Sequence, residues 1–187
     1  MATRPLRADA QRNREAILTA ARETFAAEGV LTSLDGIALR AGVGNATLYR
    51  NFPTRDDLLA AVMAKSITDA LAEADTLAAT LSPRAALTEW LKRLTWHLRI
   101  WHDLPYCLAT AHQNADSPMK PAYDPLLART GTLLDAAKAS GDAAATTTTD
   151  EVYELVLALS WAVDRFRDDE STAHRRVTMA TAGIFTA

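Results

Sequence analysis

Residues 31–55 read LTSLDGIALRAGVGNATLYRNFPTR, and this stretch decides how the rest of the chain is read. Ile37, Ala38 and Ala41 give a packing face to a short helix over 33–40. Gly42 and Gly44 then interrupt the pattern, and a second short helix follows over 45–51, with Leu48 and Phe52 turned inward. Helix, glycine-containing turn and helix together are the sequence form of a helix-turn-helix, in which the second helix lies in the DNA major groove. Many all-helical proteins also contain a short helix, a glycine and another short helix, so the flanking sequence has to bear on the assignment.

Upstream, residues 9–28 predict a helix whose apolar stripe is Ile17, Leu18, Ala21, Phe25 and Ala26. Gly29 follows as a stop that can take the left-handed conformation of a helix end. Thr32 or Ser33 is placed to cap the second helix, and the free amides there also suit a DNA phosphate. Residues 1–14 carry Arg4, Arg7, Arg12 and Arg14 against the single acid Asp9. A basic amino-terminal arm beside a helix-turn-helix is the electrostatic footprint of a DNA binder; by itself it is equally a solvated tail.

Composition narrows the alternatives. The chain has 187 residues, 49% of them hydrophobic, which suits one domain or two small ones with a real core. Seven glycines, seven prolines and abundant alanine, leucine and arginine favour helix, and no alternating run of β-branched residues argues for strands. The single cysteine, Cys107, excludes an internal disulfide and a cysteine zinc cage and fits a reducing interior. The amino end lacks the apolar core of a signal peptide, and the longest apolar run, 155–163, is far short of the ~20 residues that cross a bilayer. The expectation is a soluble cytoplasmic protein without membrane contact. The net charge of −3 excludes generic polyanion binding by the whole molecule.

Extended to LTSLDGIALRAGVGNATLYRNFPTRDDLL, the stretch resembles the DNA-binding region of the TetR family of transcriptional regulators. The resemblance rests on Ile37-Ala38, Ala41-Gly42-Val43, Thr47-Leu48-Tyr49, Phe52, a basic residue before a leucine (Arg55 to Leu58), and the preceding helix ending in Phe25-Ala26-Ala27-Glu28-Gly29. It covers about residues 9–60. Gly44 departs from the pattern, because many members have serine or threonine there to cap the recognition helix; the cap then passes to Asn45 or is absent. The chemistry of the side chains suggests roles along the motif. Asn45 suits a bidentate pair with adenine, Thr47 a base or a thymine methyl, and Ala46 close approach to the groove. Tyr49, Arg50 and Asn51 suit the DNA backbone, with Tyr49 offering its hydroxyl to phosphate. Arg40 is within reach of a base edge or phosphate, Ser33 lies beside the free amides of the second helix, and the family pattern makes Arg55 a phosphate clamp. An ordinary solvated face is the alternative for Arg50 and Arg55, and a packing aromatic for Tyr49.

Beyond residue 55 the pattern is helical throughout. A long helix over 55–79 carries the stripe Leu58, Leu59, Val62, Met63, Ile67, Ala70 and Leu71. A helix over 83–101 opens at Ser82-Pro83 and places Trp90, Leu94, His97 and Trp101 in one sector at 100° per residue. A histidine between two tryptophans suits a mostly apolar pocket; a core histidine bonded to backbone fits equally. With Tyr106, from a helix starting at Pro105, and Trp161, these give Trp90, His97, Trp101, Tyr106 and Trp161 as candidate ligand contacts for a largely apolar small molecule. The four histidines show no ligand spacing, so no metal is expected, and no cofactor is implied. Pro118, Pro121 and Pro125 predict a loop that gives way to a helix from Pro125 to Ser140, and 143–149 reads as a surface loop. Helices over 150–166 and 175–185 close the chain, and the first is apolar nearly all round, so it is buried on more than one side.

The expected fold is all-α with about nine helices: an amino-terminal three-helix helix-turn-helix unit over 1–55 and a carboxy-terminal helical bundle over 56–187. The resemblance implies that the bundle binds ligand and dimerises, with the last two helices forming a homodimer interface; two core helices of a monomer are the alternative. It further implies a repressor on a palindromic double-stranded operator, released by a small-molecule effector. A helical-bundle enzyme using Cys107 and a histidine finds no orienting third group at a readable spacing. An interaction module without DNA binding is the remaining alternative.

Overall fold

The computed structural model describes residues 3–186, with side-chain surroundings from residue 8 onward. The described residues form nine α-helices and a closing 3-10 turn at Ala182–Ile184. Helices α1 (Thr3–Glu28), α2 (Leu34–Arg40) and α3 (Asn45–Asn51) make an amino-terminal head. Its core comprises Ile17, Ala20, Ala21 and Phe25 of α1, Ile37 and Ala38 of α2, Leu48 of α3, and Phe52 just beyond it. That shared core is what holds α2 and α3, since isolated helices of seven residues do not persist in water. Helix α1 starts at Thr3 and not at residue 9, so the backbone of the whole basic arm from Arg4 to Arg14 is helical. The side chains of Arg4 and Arg7 lie outside the described residues. Ala26, expected on the apolar stripe, is exposed, and Ala20 takes its place.

The long helix α4 (Arg55–Thr80) leaves the head through a capping box. The Thr54 hydroxyl accepts from the Asp57 amide at 3.1 Å, and the Asp57 carboxylate accepts from the Thr54 amide at 2.9 Å. Its buried stripe runs from Leu58 to Leu77 and packs first on α1, then on the body. There α5 (Pro83–Leu98) lies at the centre, against α4, α7 (Lys120–Ala139), α8 (Thr149–Phe166) and α9 (Glu170–Ala180); α6 (Leu104–His112) rests on α7 and α8. No described helix is long and apolar enough to cross a membrane.

In the body, three helices have boundaries well away from those expected. Helix α5 stops at Leu98, and residues 99–103 turn back toward the head. Helix α7 begins at Lys120, with Pro121 in its first turn and Pro125 inside it. Pro125 removes one backbone donor and disfavours helix at Asp124, but burial of Ala122, Tyr123 and Leu126 on the same helix outweighs that local cost. Helix α9 runs from Glu170 to Ala180 because the Asp169 side chain caps it, accepting from the Thr172 amide at 2.8 Å. The carboxyl end is stitched to the α7–α8 loop: the Ala144 amide donates to the Ile184 carbonyl at 2.9 Å, and the Thr186 amide donates to that of Asp142 at 3.0 Å.

Candidate functional site

Helix α3 follows Gly42, whose φ of +67° suits glycine, and starts at Gly44, which offers no side-chain cap. The Thr47 and Leu48 amides turn instead to the Gly44 carbonyl, at 2.8 and 3.2 Å. With Leu48 fully buried beneath it, the helix exposes Asn45, Ala46, Tyr49 and Arg50 and leaves Thr47 half-buried. Asn51 donates to the Thr47 carbonyl at 2.8 Å, which fixes its amide along the helix. Arg14, on α1, stacks over the Phe52 ring with its guanidinium 4.4 Å from the centroid.

Two of the other expected DNA contacts, Arg40 and Arg55, have internal partners. Arg40 donates to the Thr24 hydroxyl at 2.9 Å and pairs with Glu28, clamping the end of α2 to α1. Hydrogen bonds from Thr32 and Arg40 hold the Glu28 carboxyl below its ordinary value. Arg55 donates to the Val30 carbonyl and so ties the start of α4 to the turn after α1. Ser33 is the residue before α2, yet its side chain accepts no capping bond, and the Thr32 hydroxyl donates to Glu28 at 2.7 Å. The expected side-chain cap of α2 is therefore not made: Thr32 has a stronger acceptor, a carboxylate, one helical turn back.

Head and body meet at the turn between α5 and α6. The Phe25 and Trp101 rings pack with centroids 5.8 Å apart. The Val30 amide donates to the His102 carbonyl at 3.0 Å. Gly29 has φ +84°, and a Cβ there would come within 3.2 Å of the His102 Cβ, so both conformation and close approach require glycine. The His102 ring bridges Asp164 and Arg165: Nδ1 lies 2.9 Å from the Asp164 carboxylate, and Arg165 lies 3.1 Å from Nε2. An arginine donating to Nε2 places the imidazole proton on Nδ1, toward Asp164. His102, Asp103 and Asp164 bring ligand atoms within 4.8 Å of one another, a cluster invisible in the sequence because Asp164 is remote. Arg165 also pairs with Asp103, so a guanidinium already balances these carboxylates.

The five residues expected to form one ligand pocket do not converge. Trp90 is fully buried, and its indole N–H donates to the Thr130 hydroxyl at 2.9 Å; it is a core residue. Trp101 and His97 line an inner cavity of about 250 Å³ with Met63, Ile67, Leu94 and Leu126. Trp101 is a buried wall, whereas His97 stands exposed at the rim with Ser66 and Asp69, 3.3 Å from Glu73. Burial works against ionisation of Glu73, but hydrogen bonds from Arg93 and His97 outweigh it and keep the carboxyl below its ordinary value. Tyr106 and Trp161 instead line a separate groove of about 430 Å³ between α6 and α8. Of the four residues that the projection at 100° per residue put in one sector, Leu94, His97 and Trp101 share the inner cavity although α5 ends at Leu98, whereas Trp90 is packed against Thr130 of α7. Met63, Ile67 and Leu126 carry only a burial signal in the sequence, so nothing marked them as cavity lining. Burial, with the nearby Asp56 carboxylate, pushes the Cys107 thiol up to about 11, which leaves it unactivated as a nucleophile.

Comparison with known proteins agrees with this geometry. Residues 82–185, more than half of the chain, match the family model described as transcriptional regulator SbtR-like, C-terminal domain. Residues 17–62 match the model described as bacterial regulatory proteins, tetR family. A solved TetR transcription regulatory protein from Mycobacterium vanbaalenii is 31% identical, with 97% of this chain and 100% of that one covered and a TM-score of 0.53. A TetR transcriptional regulator from Streptomyces coelicolor is 27% identical, with 93% and 99% covered and a TM-score of 0.58. A tetR-family regulatory protein from Rhodococcus RHA1, 20% identical with 94% and 98% covered, shares the fold at a TM-score of 0.65. No curated protein matches the chain at a significant level.

Proposed function

The chain belongs to the TetR family of bacterial transcriptional regulators, which are not enzymes, and we propose that it is a cytoplasmic homodimeric repressor released from a palindromic operator by a small molecule. The observation that carries the reading is α3: a short helix pinned from below by Leu48, with Asn45, Ala46, Tyr49 and Arg50 on its open side and Thr47 at its edge. Asn45 and Thr47 read base edges, and Ala46 and Gly44 let the helix lie close to the groove floor. Tyr49 and Arg50 take backbone phosphates, as do Ser33 and the uncapped amides at the start of α2. Arg40, Asn51 and Arg55 brace the motif in the free protein; on DNA they exchange internal partners for phosphate.

Dimerisation uses the apolar residues that α8 leaves partly open, Leu155, Leu159, Ala162 and Phe166, together with exposed Met179 of α9. The paired recognition helices then sit about 34–36 Å apart, one turn of DNA. The effector, largely apolar, enters the inner cavity through the rim at His97. Its wall residue Trp101 touches Phe25 of the head, so occupancy reaches the DNA-binding unit through one ring contact. The shift it causes is bounded by the ligand's differential affinity for the two states.

Gel retardation with the DNA upstream of the protein's own gene tests the reading, at low and high salt. Sequence-selective binding that weakens with salt is expected. The double variant Thr47→Ala, Tyr49→Ala should lose selective binding and remain dimeric. Selective binding that survives both substitutions would place recognition on another helix, and none at low salt by the wild type would refute the proposal.

A further inference from the structure

The groove between α6 and α8 is chemically unlike the inner cavity. Two aromatic side chains along it are left open to water, Tyr106 at 56% and Trp161 at 45% exposure. Its floor is Ala109, Leu157 and Ala158. One end carries the Glu154 carboxylate, 3.8 Å from His112 Nε2; the Asp150 carboxylate lies at the same distance from that nitrogen, beyond the lining residues. The His112 ring is itself packed against two tyrosines, with centroids 5.7 Å from Tyr123 and 5.5 Å from Tyr153. Among the described residues, no lysine or arginine lines the groove. The guanidinium beside Trp161, that of Arg165 at 5.7 Å from the ring, is already paired with Asp103.

Open aromatic faces, an apolar floor and a carboxylate at one end, with no lysine or arginine among the lining residues, together select one class of ligand. An organic cation gains from the ring faces and from the carboxylate, whereas an anion of the same shape meets repulsion and a neutral body forgoes both. The position on α8 separates this groove from the proposed dimer face. At 100° per residue, Glu154, Leu157, Ala158 and Trp161 centre about 120° round the helix from Leu155, Leu159, Ala162 and Phe166. We propose that the α6–α8 groove is a binding site for an amphiphilic organic cation, with Trp161 and Tyr106 against the apolar body and Glu154 facing the charge. The site does not depend on DNA binding or on the inner cavity.

The test is a calorimetric titration of the full chain, without DNA, with tetraphenylphosphonium, and with tetraphenylborate as a control of like shape and opposite charge. Saturable binding of one phosphonium per chain is expected, with no saturable binding of the borate. Trp161→Ala and Glu154→Gln, both at exposed positions, should each weaken the phosphonium by about tenfold or more, a change of about 1.4 kcal/mol. Trp101→Phe, in the inner cavity, should leave it unchanged. Equal affinity for the borate would make the groove a nonspecific apolar patch and overturn the proposal. Phosphonium binding that is absent, that survives both groove substitutions, or that disappears as the protein is concentrated into its dimer would overturn it as well.

Discussion

Helices α3 and α8 carry the two faces on which the proposed function depends, and they are stabilised in opposite ways. Helix α3 has seven residues, no side-chain cap and one buried residue, Leu48. Helix α8 has eighteen, a capping box at Thr148 and Glu151, and six buried residues, among them Val152, Tyr153 and Val156. The first is helical because the head's core holds it; the second brings its own length and cap to the packing. A reading helix built like α3 has nearly all its surface free for contact, at the cost of resting on one side chain. A scaffold helix like α8 has spare stability and can leave Trp161 and Phe166 open to water.

Removing the support of α3 should have the largest effect. Leu48→Ala should cost about 2–5 kcal/mol in urea denaturation and undo the docking of α3. All four tryptophans lie in the body, with Trp101 packed against Phe25 of the head, so head unfolding should appear in far-ultraviolet circular dichroism with only a partial change in tryptophan fluorescence, the rest of which follows later. Coincident transitions would show that head and body unfold as one unit, which would break the contrast. Next comes Trp90→Phe, which keeps an apolar ring but loses the bond to Thr130; about 1–3 kcal/mol should be lost, with DNA affinity unchanged. Thr148→Ala should lower the stability of α8 by about 1 kcal/mol.

The same variant has a pH signature. Hydrogen bonds from the Thr148 amide and hydroxyl hold the Glu151 carboxyl below its ordinary value. A depressed carboxyl stabilises the fold above its ordinary value and loses that contribution as the pH falls through the folded one. The gap between wild type and Thr148→Ala should therefore narrow in acid; a gap constant down to low pH would assign the effect to the hydroxyl cap alone. The smallest expected change is a gain. Gly44 has a negative φ of −73° and open space around the position of a Cβ, so Gly44→Ser should cap α3 and raise stability by a few tenths of a kcal/mol. A loss of stability would mean that the carbonyl turn at Gly44 needs glycine.

The head was legible because its information is local. The spacing of Ile37, Ala38 and Leu48, the glycines between them, and Gly29 at the end of α1 each specify structure within a turn or two of helix. Even there, the sequence could not show that Arg40 and Arg55 are engaged by Glu28 and the Val30 carbonyl, since those partners lie across the tertiary fold. In the body, helix positions were legible and their convergence was not. Trp90 meets Thr130, His102 meets Asp164, and the Ser160 hydroxyl donates to the Thr95 carbonyl at 3.1 Å, each across forty or more residues. Pro125 shows the same limit from the other side, because a local helix breaker sits inside a helix that packing holds together.

The sequence by itself determined that this protein is all-helical and that residues 45–51 form a short helix after a glycine-containing turn. Periodicity, caps and glycine conformation act over a few residues, and a chain read in order contains them. Only the tertiary structure decided that Trp101 and Trp161 belong to two different cavities, that Trp90 belongs to neither, and that a buried ring contact joins the inner cavity to the head. Those outcomes depend on the angles and offsets at which helices pack, which are set by side chains distant in sequence filling one core without voids.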